Sequence, residues 1–400
     1  MRVLLADKLP DEAKERLEQV GFEVRAEATL VEASLVAAME EFQPDVLVVR
    51  STKVRAEHIG ASSSLSLVVR AGAGVNNIDM AACGQQGVFV SNCPGKNAVA
   101  VAELAIGLMV ALDRKIPDNV ADLRAGRWNK KSFSKARGLK GCTVGIIGLG
   151  KIGSEVLKRA KAMEMDAIVY ELLLTEEMAE ELEVVRAESL LDVARAADVV
   201  TIHLPLNDKT RGLVGAEFFD SMKPGSFLIN TSRAPIIDED ALLQVLDERD
   251  LRAGLDLFSN EPAQKEAPFD HPVAKHPRVY GTHHIGASTT QAQQAVADEA
   301  CRVIEAYKST GRAPNCVNLT VKTSADHCLV VRHLDRVGVL AAVFDLLREV
   351  EINVQEMENT IFAGGGAAIA RIQLHGQPPD WVMEKMEQSD RILHVSLLPL

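Results

Sequence analysis

The stretch Thr143-Val-Gly-Ile-Ile-Gly-Leu-Gly-Lys-Ile-Gly153 runs from an apolar strand through a glycine-patterned turn into a helix. Gly148, Gly150 and Gly153 have the spacing that wraps backbone around a pyrophosphate. Gly148 permits the tight turn, Gly150 lets the main chain approach the phosphates, and Gly153 lets the helix pack on its strand. Lys151 and Ile152 stand between them in the first helical turn, whose free amides and positive dipole end face the anion. Next comes the apolar run Ala167-Ile-Val-Tyr170, predicted as the following strand and closed by Glu171. Glu171 lies 18 positions past Gly153, near the about 20 expected for an acid that accepts the ribose hydroxyls. Leu172-Leu-Leu-Thr175 offers no Arg for a 2′-phosphate, so the expected cofactor is NAD rather than NADP.

Around this turn the chain alternates strands and amphipathic helices. Val3–Ala6, Val46–Val49, Leu67–Arg70 and Val88–Ser91 read as strands, with helices over Asp11–Val20 and Leu30–Glu41. Further strands are expected at Val199–Leu204, Ser226–Asn230, Ala253–Phe258 and Val279–Gly281, and a helix over Thr289–Lys308. Such alternation implies parallel sheets with helices on both faces. From about Asp326 the order changes to strand, helix, strand, strand, helix, strand, a βαββαβ module. The expected fold is therefore α/β: two doubly wound parallel-sheet domains of the Rossmann or flavodoxin kind, plus a small C-terminal module. The expected domains are 98–284 for NAD, 1–97 rejoined by 285–320 for substrate, and 326–400 for the module.

Composition narrows the class. A formal charge of −12 argues against nucleic acid or an anionic membrane as partner. The apolar region from Ala98 to Leu112 contains Glu103 and is too short to span a bilayer, so it reads as a buried helix. Met1-Arg-Val-Leu-Leu-Ala-Asp7 is a charged short strand, not a signal peptide. The six cysteines show no metal-ligand spacing, so reduced thiols, no metal and a cytoplasmic setting are expected.

Ligands of open α/β sheets sit beyond the carboxyl ends of the strands. Three chemically apt side chains fall there: Arg233 after Phe227-Leu-Ile-Asn-Thr-Ser232, Glu261 after Gly254-Leu-Asp-Leu-Phe-Ser-Asn260, and His284 after Val279-Tyr-Gly-Thr-His283. Arg holds a carboxylate by a two-pronged fork. His takes a hydroxyl proton, and Glu steadies the resulting imidazolium. Arg50 and Lys53 in Val48-Val-Arg-Ser-Thr-Lys53 occupy another strand end. In an acidic chain they read either as a phosphate site or as ordinary surface charge.

Several motifs extend the pattern: Arg70-Ala-Gly-Ala-Gly-Val-Asn-Asn-Ile-Asp79, Ala102-Glu-Leu104, Ile229-Asn-Thr-Ser-Arg233, Gly254-Leu-Asp-Leu-Phe258 with Glu261-Pro262, and His284-Ile-Gly-Ala-Ser-Thr289. On these the chain resembles the D-isomer-specific 2-hydroxyacid dehydrogenases. The resemblance implies Arg233, Glu261 and His284 as catalytic residues and Asp256 as the group that holds the nicotinamide carboxamide. It also implies that the backbone of Ala71, Gly72, Ala73, Gly74 and Val75 holds the substrate carboxylate. Two departures are visible, Ala234 where the family has Gly and His283 where it has Pro. A similar Val-Arg-Ser segment in relatives favours the phosphate reading of Arg50. The implied reaction is NAD-dependent oxidation of a phosphorylated 2-hydroxy acid, D-3-phosphoglycerate, opening phosphorylated serine synthesis. A reductase of another 2-oxoacid such as hydroxypyruvate or 2-oxoglutarate, or an NAD-sensing corepressor on the same scaffold, remain alternatives.

His333-Leu-Asp-Arg-Val-Gly-Val-Leu340 with Ile352-Asn353 is similar to ACT domains. That likeness implies an amino-acid effector held by His333, Asp335, Gly338 and Asn353, usually across a domain dimer. A purely assembling role is the alternative. A homo-oligomer, dimer or tetramer, is expected, and Arg127-Trp-Asn-Lys-Lys131 adds basic charge that a subunit contact would use.

Overall fold

Short β-branched and leucine-rich runs, bounded by turns and alternating with helices, build two parallel sheets. Val3, Leu4 and Leu5, Val46–Val49 and Leu67–Val69 are buried without an alternating polar face, as strands covered on both sides must be. The structure, a computed structural model, describes residues 1–400 except Ala263, Lys265, Val321 and Lys322. It divides into two compact units, Met1–Asn318 and Leu319–Leu400.

In the first unit β1 (Arg2–Leu5), β2 (Glu23–Ala26), β3 (Val46–Val49), β4 (Leu67–Arg70) and β5 (Phe89–Asn92) form a five-stranded sheet in the order β2-β1-β3-β4-β5. All its pairs are parallel. The edge strand β2 carries Glu-Val-Arg-Ala with no buried residue, so its sequence lacks the apolar run that marks the other four. A second sheet contains β6 (Thr143–Ile147), β7 (Asp166–Tyr170), β8 (Val185–Arg186), β9 (Val199–Ile202), β10 (Phe227–Asn230), β11 (Arg252–Leu255) and β12 (Val279–Gly281). Its order is β12-β11-β10-β9-β6-β7-β8, again parallel.

Strand order reverses at β1/β3 in one sheet and at β6/β9 in the other. Crevices for ligands open at such switch points. Asp7 and Arg50 lie at the first, and the glycine turn and His203 at the second.

Helix Thr290–Thr310 follows the second sheet but packs on the first. The Thr289 hydroxyl caps it by accepting from the Ala292 amide at 3.1 Å, and Gly311 ends it at φ 68°. Val296, Ala297, Ala300, Val303 and Ile304 join the core of Val3, Leu5, Val46, Val48 and Leu67. The Asn318 side chain then spans the Val90 amide and the Val88 carbonyl, both at 2.8 Å. The chain after the NAD-type sheet thus returns to the N-terminal one. Among the described residues no helix is long and apolar enough to cross a membrane.

The second unit has β13 (His327–Leu334), β14 (Asn353–Ile361), β15 (Ala367–His375) and β16 (Ile392–Pro399) in the antiparallel order β14-β15-β13-β16. Helices Val339–Glu349 and Asp380–Glu387 contribute Val343, Leu347, Val382 and Met386 to its core against Leu329, Val331 and Ile372.

Candidate active site

At the β6 turn, Gly148 adopts φ +94°, and a Cβ there would come within 2.8 Å of the His203 carbonyl oxygen. A side chain on Gly153 would collide with the Gly148 carbonyl, so helix Lys151–Ala162 closes on its strand only with glycine there. Gly150 instead has open space where a Cβ would stand, leaving bare backbone for phosphate to approach. The Glu171 carboxylate sits at the same turn, accepting the Leu149 amide at 2.9 Å. These features fit a dinucleotide: a glycine cradle, a helix N-terminus of twelve residues, and an acid at ribose distance along the sheet.

The two residues between the glycines behave differently. Ile152 packs into the hydrophobic core. Lys151 reaches out to the Pro94 carbonyl at 3.4 Å, so its cation bridges to the segment after β5 and is not aimed at the turn.

His203, following β9, is buried, and its Nε2 meets the Thr201 hydroxyl at 2.8 Å. Burial pushes its imidazole down to about 3. The unfolded chain takes a proton here below about 6.5 and the folded one does not. Stability from this site is therefore complete above about 6.5 and declines as the pH falls toward 3. His203→Gln keeps a partner for Thr201 but does not titrate. It should remove about 2 kcal/mol of the stability lost between pH 6.5 and 5, at about 1.4 kcal/mol per pH unit. Denaturant melts at both values check this, and an unchanged slope would refute it.

His284 pairs through Nδ1 with Glu261 Oε2 at 2.8 Å, which leaves Nε2 free for a substrate. Its backbone lies at φ 53°, a left-handed conformation that non-glycine residues hold only when surroundings impose it. Those surroundings are visible. Buried Asp256 accepts the Thr282 hydroxyl at 2.6 Å and the Ile285 and Gly286 amides at 2.8 Å, so its carboxylate clasps the loop on both sides of His284. The resemblance assigns Asp256 to the carboxamide; here three of its acceptor positions are occupied by the loop. His283 is exposed and makes no hydrogen bond among the described residues, so the imidazole engaged with an acid is that of His284.

Glu261 is held at its other oxygen by the Phe258 amide at 3.0 Å. Burial pulls its carboxyl upward, but bonds from His284 and Phe258 and the charges of His284 and Arg233 outweigh this, leaving it below its ordinary value. Arg233 is largely buried, which lowers its pKa, while Glu261 opposes the shift. Ala234 begins a 3-10 turn and is absent from the positive-φ residues, so the added methyl imposes no left-handed strain.

Loop 71–75 lies against Arg233: a Cβ on Gly74 would strike its guanidinium. Among the described residues the amides of Ala73, Gly74 and Val75 have no acceptor, whereas Ala71 donates to Val49 O at 2.7 Å and Gly72 to Arg70 O at 2.8 Å. Free amides beside a guanidinium make a seat for a carboxylate.

Arg70, quoted above only as part of a motif, proves central. Its guanidinium folds over Gly72, and burial together with the charges of Arg233 and Arg50 brings its pKa down to about 10. Its Nε is buried without a partner. Three arginines crowd together, with Glu261 acting on Arg233 and Asp7 on Arg70, a cluster that holds more guanidinia than acids. Arg50 belongs to this group; Lys53 is exposed, and no contact joins it to the group among the described residues.

Asp7 was also silent in the sequence. Its carboxylate accepts the amides of Arg50, Ser51 and Thr52 at 2.7, 3.0 and 2.9 Å and the Ser51 hydroxyl at 2.9 Å. Burial raises its pKa, and these donors more than reverse the shift. Asp7 therefore fills the amide nest beyond β3. Asp7→Ala should loosen this loop and raise KM for a phosphorylated substrate about tenfold, equivalent to about 1.4 kcal/mol, with kcat nearly unchanged. Steady-state kinetics decide it; an unaltered KM would count against this role.

In the second unit the four effector candidates do not form one site within one copy. His333 is buried, with Nδ1 on the Leu334 carbonyl at 2.8 Å and Nε2 on Asn359 Oδ1 at 3.1 Å, so neither ring nitrogen is open. On β15, His333 pairs with Ala368 and Asn353 with His375, roughly 23 Å apart at about 3.3 Å per residue. Asp335 and Gly338 lie near the His333 end, before helix Val339–Glu349.

Residues 106–286 match the model of the D-isomer specific 2-hydroxyacid dehydrogenase NAD binding domain. The chain is 39% identical over 321 residues to a D-3-phosphoglycerate dehydrogenase of Methanocaldococcus jannaschii, covering 80% of this chain and 60% of that protein. It is 35% identical over 325 residues to the Bacillus subtilis D-3-phosphoglycerate dehydrogenase, with the same coverage of each chain. The chain thus spans 60% of the length of these curated relatives. An NAD+-bound 3-phosphoglycerate dehydrogenase from Entamoeba histolytica superposes with a TM-score of 0.67 at 29% identity, over 80% of this chain and 99% of that one. The glycine cradle, the NAD-type sheet and the paired His284 and Glu261 all lie within residues 106–286, the span similar to the D-isomer specific 2-hydroxyacid dehydrogenase NAD binding domain.

Proposed function

We propose that this protein oxidises D-3-phosphoglycerate to 3-phosphohydroxypyruvate with NAD, in a cleft between the lobe 1–97 with 285–320 and the lobe 98–284. The observation that carries this reading is the crowding of Arg50, Arg70 and Arg233 beside the His284–Glu261 pair. An anionic head and tail on one small substrate would satisfy both the carboxylate seat and the surplus of positive charge.

Gly148, Gly150, Gly153 and Glu171 would hold NAD, which supplies the hydride acceptor. Arg233 and the amides of Ala73–Val75 take the substrate carboxylate, fixing C2 near His284. Nε2 of His284 removes the hydroxyl proton as the C2–H electron pair leaves and the carbonyl forms. Glu261, on Nδ1, stabilises the imidazolium without itself taking the proton. Arg50, with Arg70, takes the phosphate, and Lys53 adds charge at the rim.

The test compares substrates. Arg50→Ala should raise KM for D-3-phosphoglycerate about 10- to 100-fold, a loss of about 1.4–2.8 kcal/mol. KM for an unphosphorylated 2-hydroxy acid should change less than about threefold. Equal losses on both would favour an unphosphorylated substrate. For the C-terminal unit, an amino-acid effector would need the Gly338 end of one copy against the Asn353 end of another. Calorimetry with L-serine tests that arrangement, and binding that survives Asn353→Ala would exclude it.

A further inference from the structure

Beyond β11 the chain turns through Phe258-Ser-Asn-Glu261, with Asn260 left-handed at φ 58°. The turn delivers Glu261 to His284, and a second group of polar side chains grips it from behind. Glu239 Oε1 accepts the Ser259 amide at 3.0 Å, and Glu239 Oε2 accepts the Ser259 hydroxyl. His271 Nε2 lies 3.0 Å from that hydroxyl oxygen and 3.4 Å from Glu239 Oε2. The ring is wedged between Phe269, stacked at 5.3 Å, and Phe258, tilted at 5.6 Å.

Proton bookkeeping fixes the roles. The Ser259 hydroxyl proton is committed to Glu239, so its oxygen accepts from His271, which must carry its proton on Nε2. Nδ1 is buried without a partner among the described residues. A serine that already donates to a carboxylate, beside a histidine with no acid on Nδ1, is not an activated nucleophile. Nor is Glu239 needed to cap its own helix, Glu239–Glu248. Asp238 does that, accepting the amides of Asp240 and Ala241 at 3.1 Å. Glu239 thus spends both oxygens on Ser259, two residues before Glu261.

We propose that Glu239, Ser259 and His271 are positioning residues for the dehydrogenase reaction: they lock the 258–261 turn so that the Glu261 carboxylate stays on His284. The inference rests on the proposed role of His284, and its test includes a measurement that needs no substrate or cofactor. A carboxylate held against an imidazole favours the protonated ring. The charged groups around His284 are Glu261, Arg233 beside it, Asp256 under the loop and neighbouring His283, and none of these is changed by substitution at Ser259.

The experiment reads the NMR signals of the His284 ring nitrogens at one fixed pH in cofactor-free protein, for the native chain, Ser259→Ala, Ser259→Thr, Glu239→Gln and Glu261→Gln. Ser259→Ala and Glu239→Gln should shift these signals in the direction Glu261→Gln does, by less, and Ser259→Thr should restore them. In turnover, Ser259→Ala should lose roughly 5- to 20-fold in kcat, short of the about 100-fold of a full 1 Å misplacement, with KM for NAD unchanged. Adding Ser259→Ala to Glu261→Gln should cost nothing further. Native ring signals in both Ser259→Ala and Glu239→Gln, or losses additive with Glu261→Gln, would overturn the proposal. Failure of the substrate assignment would show instead as absent turnover in the native chain with the ring-signal shifts intact.

Discussion

His284→Ala should lower kcat by about 100- to 10,000-fold, the range that a positioned acid–base group contributes, while NAD affinity stays within about threefold of native. The split follows from the geometry. Nδ1 is committed to Glu261 at 2.8 Å, so Nε2 is the atom left for the proposed substrate hydroxyl, and among the described residues no hydrogen bond joins the ring to the glycine cradle. Glu261→Gln is the companion variant. It keeps a partner for Nδ1 but removes the negative charge that steadies the imidazolium formed during the reaction, so the loss should be smaller. Substitution at the neighbouring His283 should leave kcat within about threefold of native, since that ring has no acid partner. Rapid single-turnover measurements separate this chemical step from NADH release. Native turnover in His284→Ala would remove the base from the mechanism.

Arg233→Ala should reduce kcat/KM by roughly 30- to 5,000-fold, corresponding to the about 2–5 kcal/mol lost when one partner of a desolvated charge pair is removed. Arg233 is half-buried beside Arg70, and among the described residues loop 71–75 leaves three amides unused next to it. Without the guanidinium, the substrate carboxylate would rest on those amides alone. Arg233→Lys keeps the charge but not the planar fork, so it should recover only part of the loss. The effect should fall on kcat as well as KM, because a carboxylate held at one end no longer fixes C2 against the base. A pure KM effect of a few-fold would instead make Arg233 a distant electrostatic contributor.

Legibility varied along the chain for physical reasons. The glycine turn could be read outright because each glycine answers a steric demand: left-handed backbone at Gly148, helix closure at Gly153 and open approach at Gly150. Arg233, Glu261 and His284 follow from the rule that strand ends face ligands. That rule places residues but does not aim side chains. It put Lys53 with Arg50, yet among the described residues only Arg50 acts on the arginine cluster. Arg70 was hidden because a strand-terminal Arg before a glycine loop looks structural until the loop folds it back over Gly72. Asp7, Asp256 and Glu239 act on amides 43, 29–30 and 20 residues away, contacts that no local pattern encodes. Strand β2 escaped notice because its edge position lets all four residues stay polar or half-exposed. His333 and Asn353 share a familiar motif spacing, but on β13 and β14 they pair with opposite ends of β15.

The most direct measurement is the initial rate of NADH formation from D-3-phosphoglycerate, set beside the unphosphorylated D-2-hydroxy acids lacking only that phosphate. Three clustered guanidinia predict a kcat/KM at least about 100-fold higher for the phosphorylated acid, the worth of about 2.7 kcal/mol of anion contact. Equal rates on both, or no NADH at all from the phosphorylated one, would contradict the account.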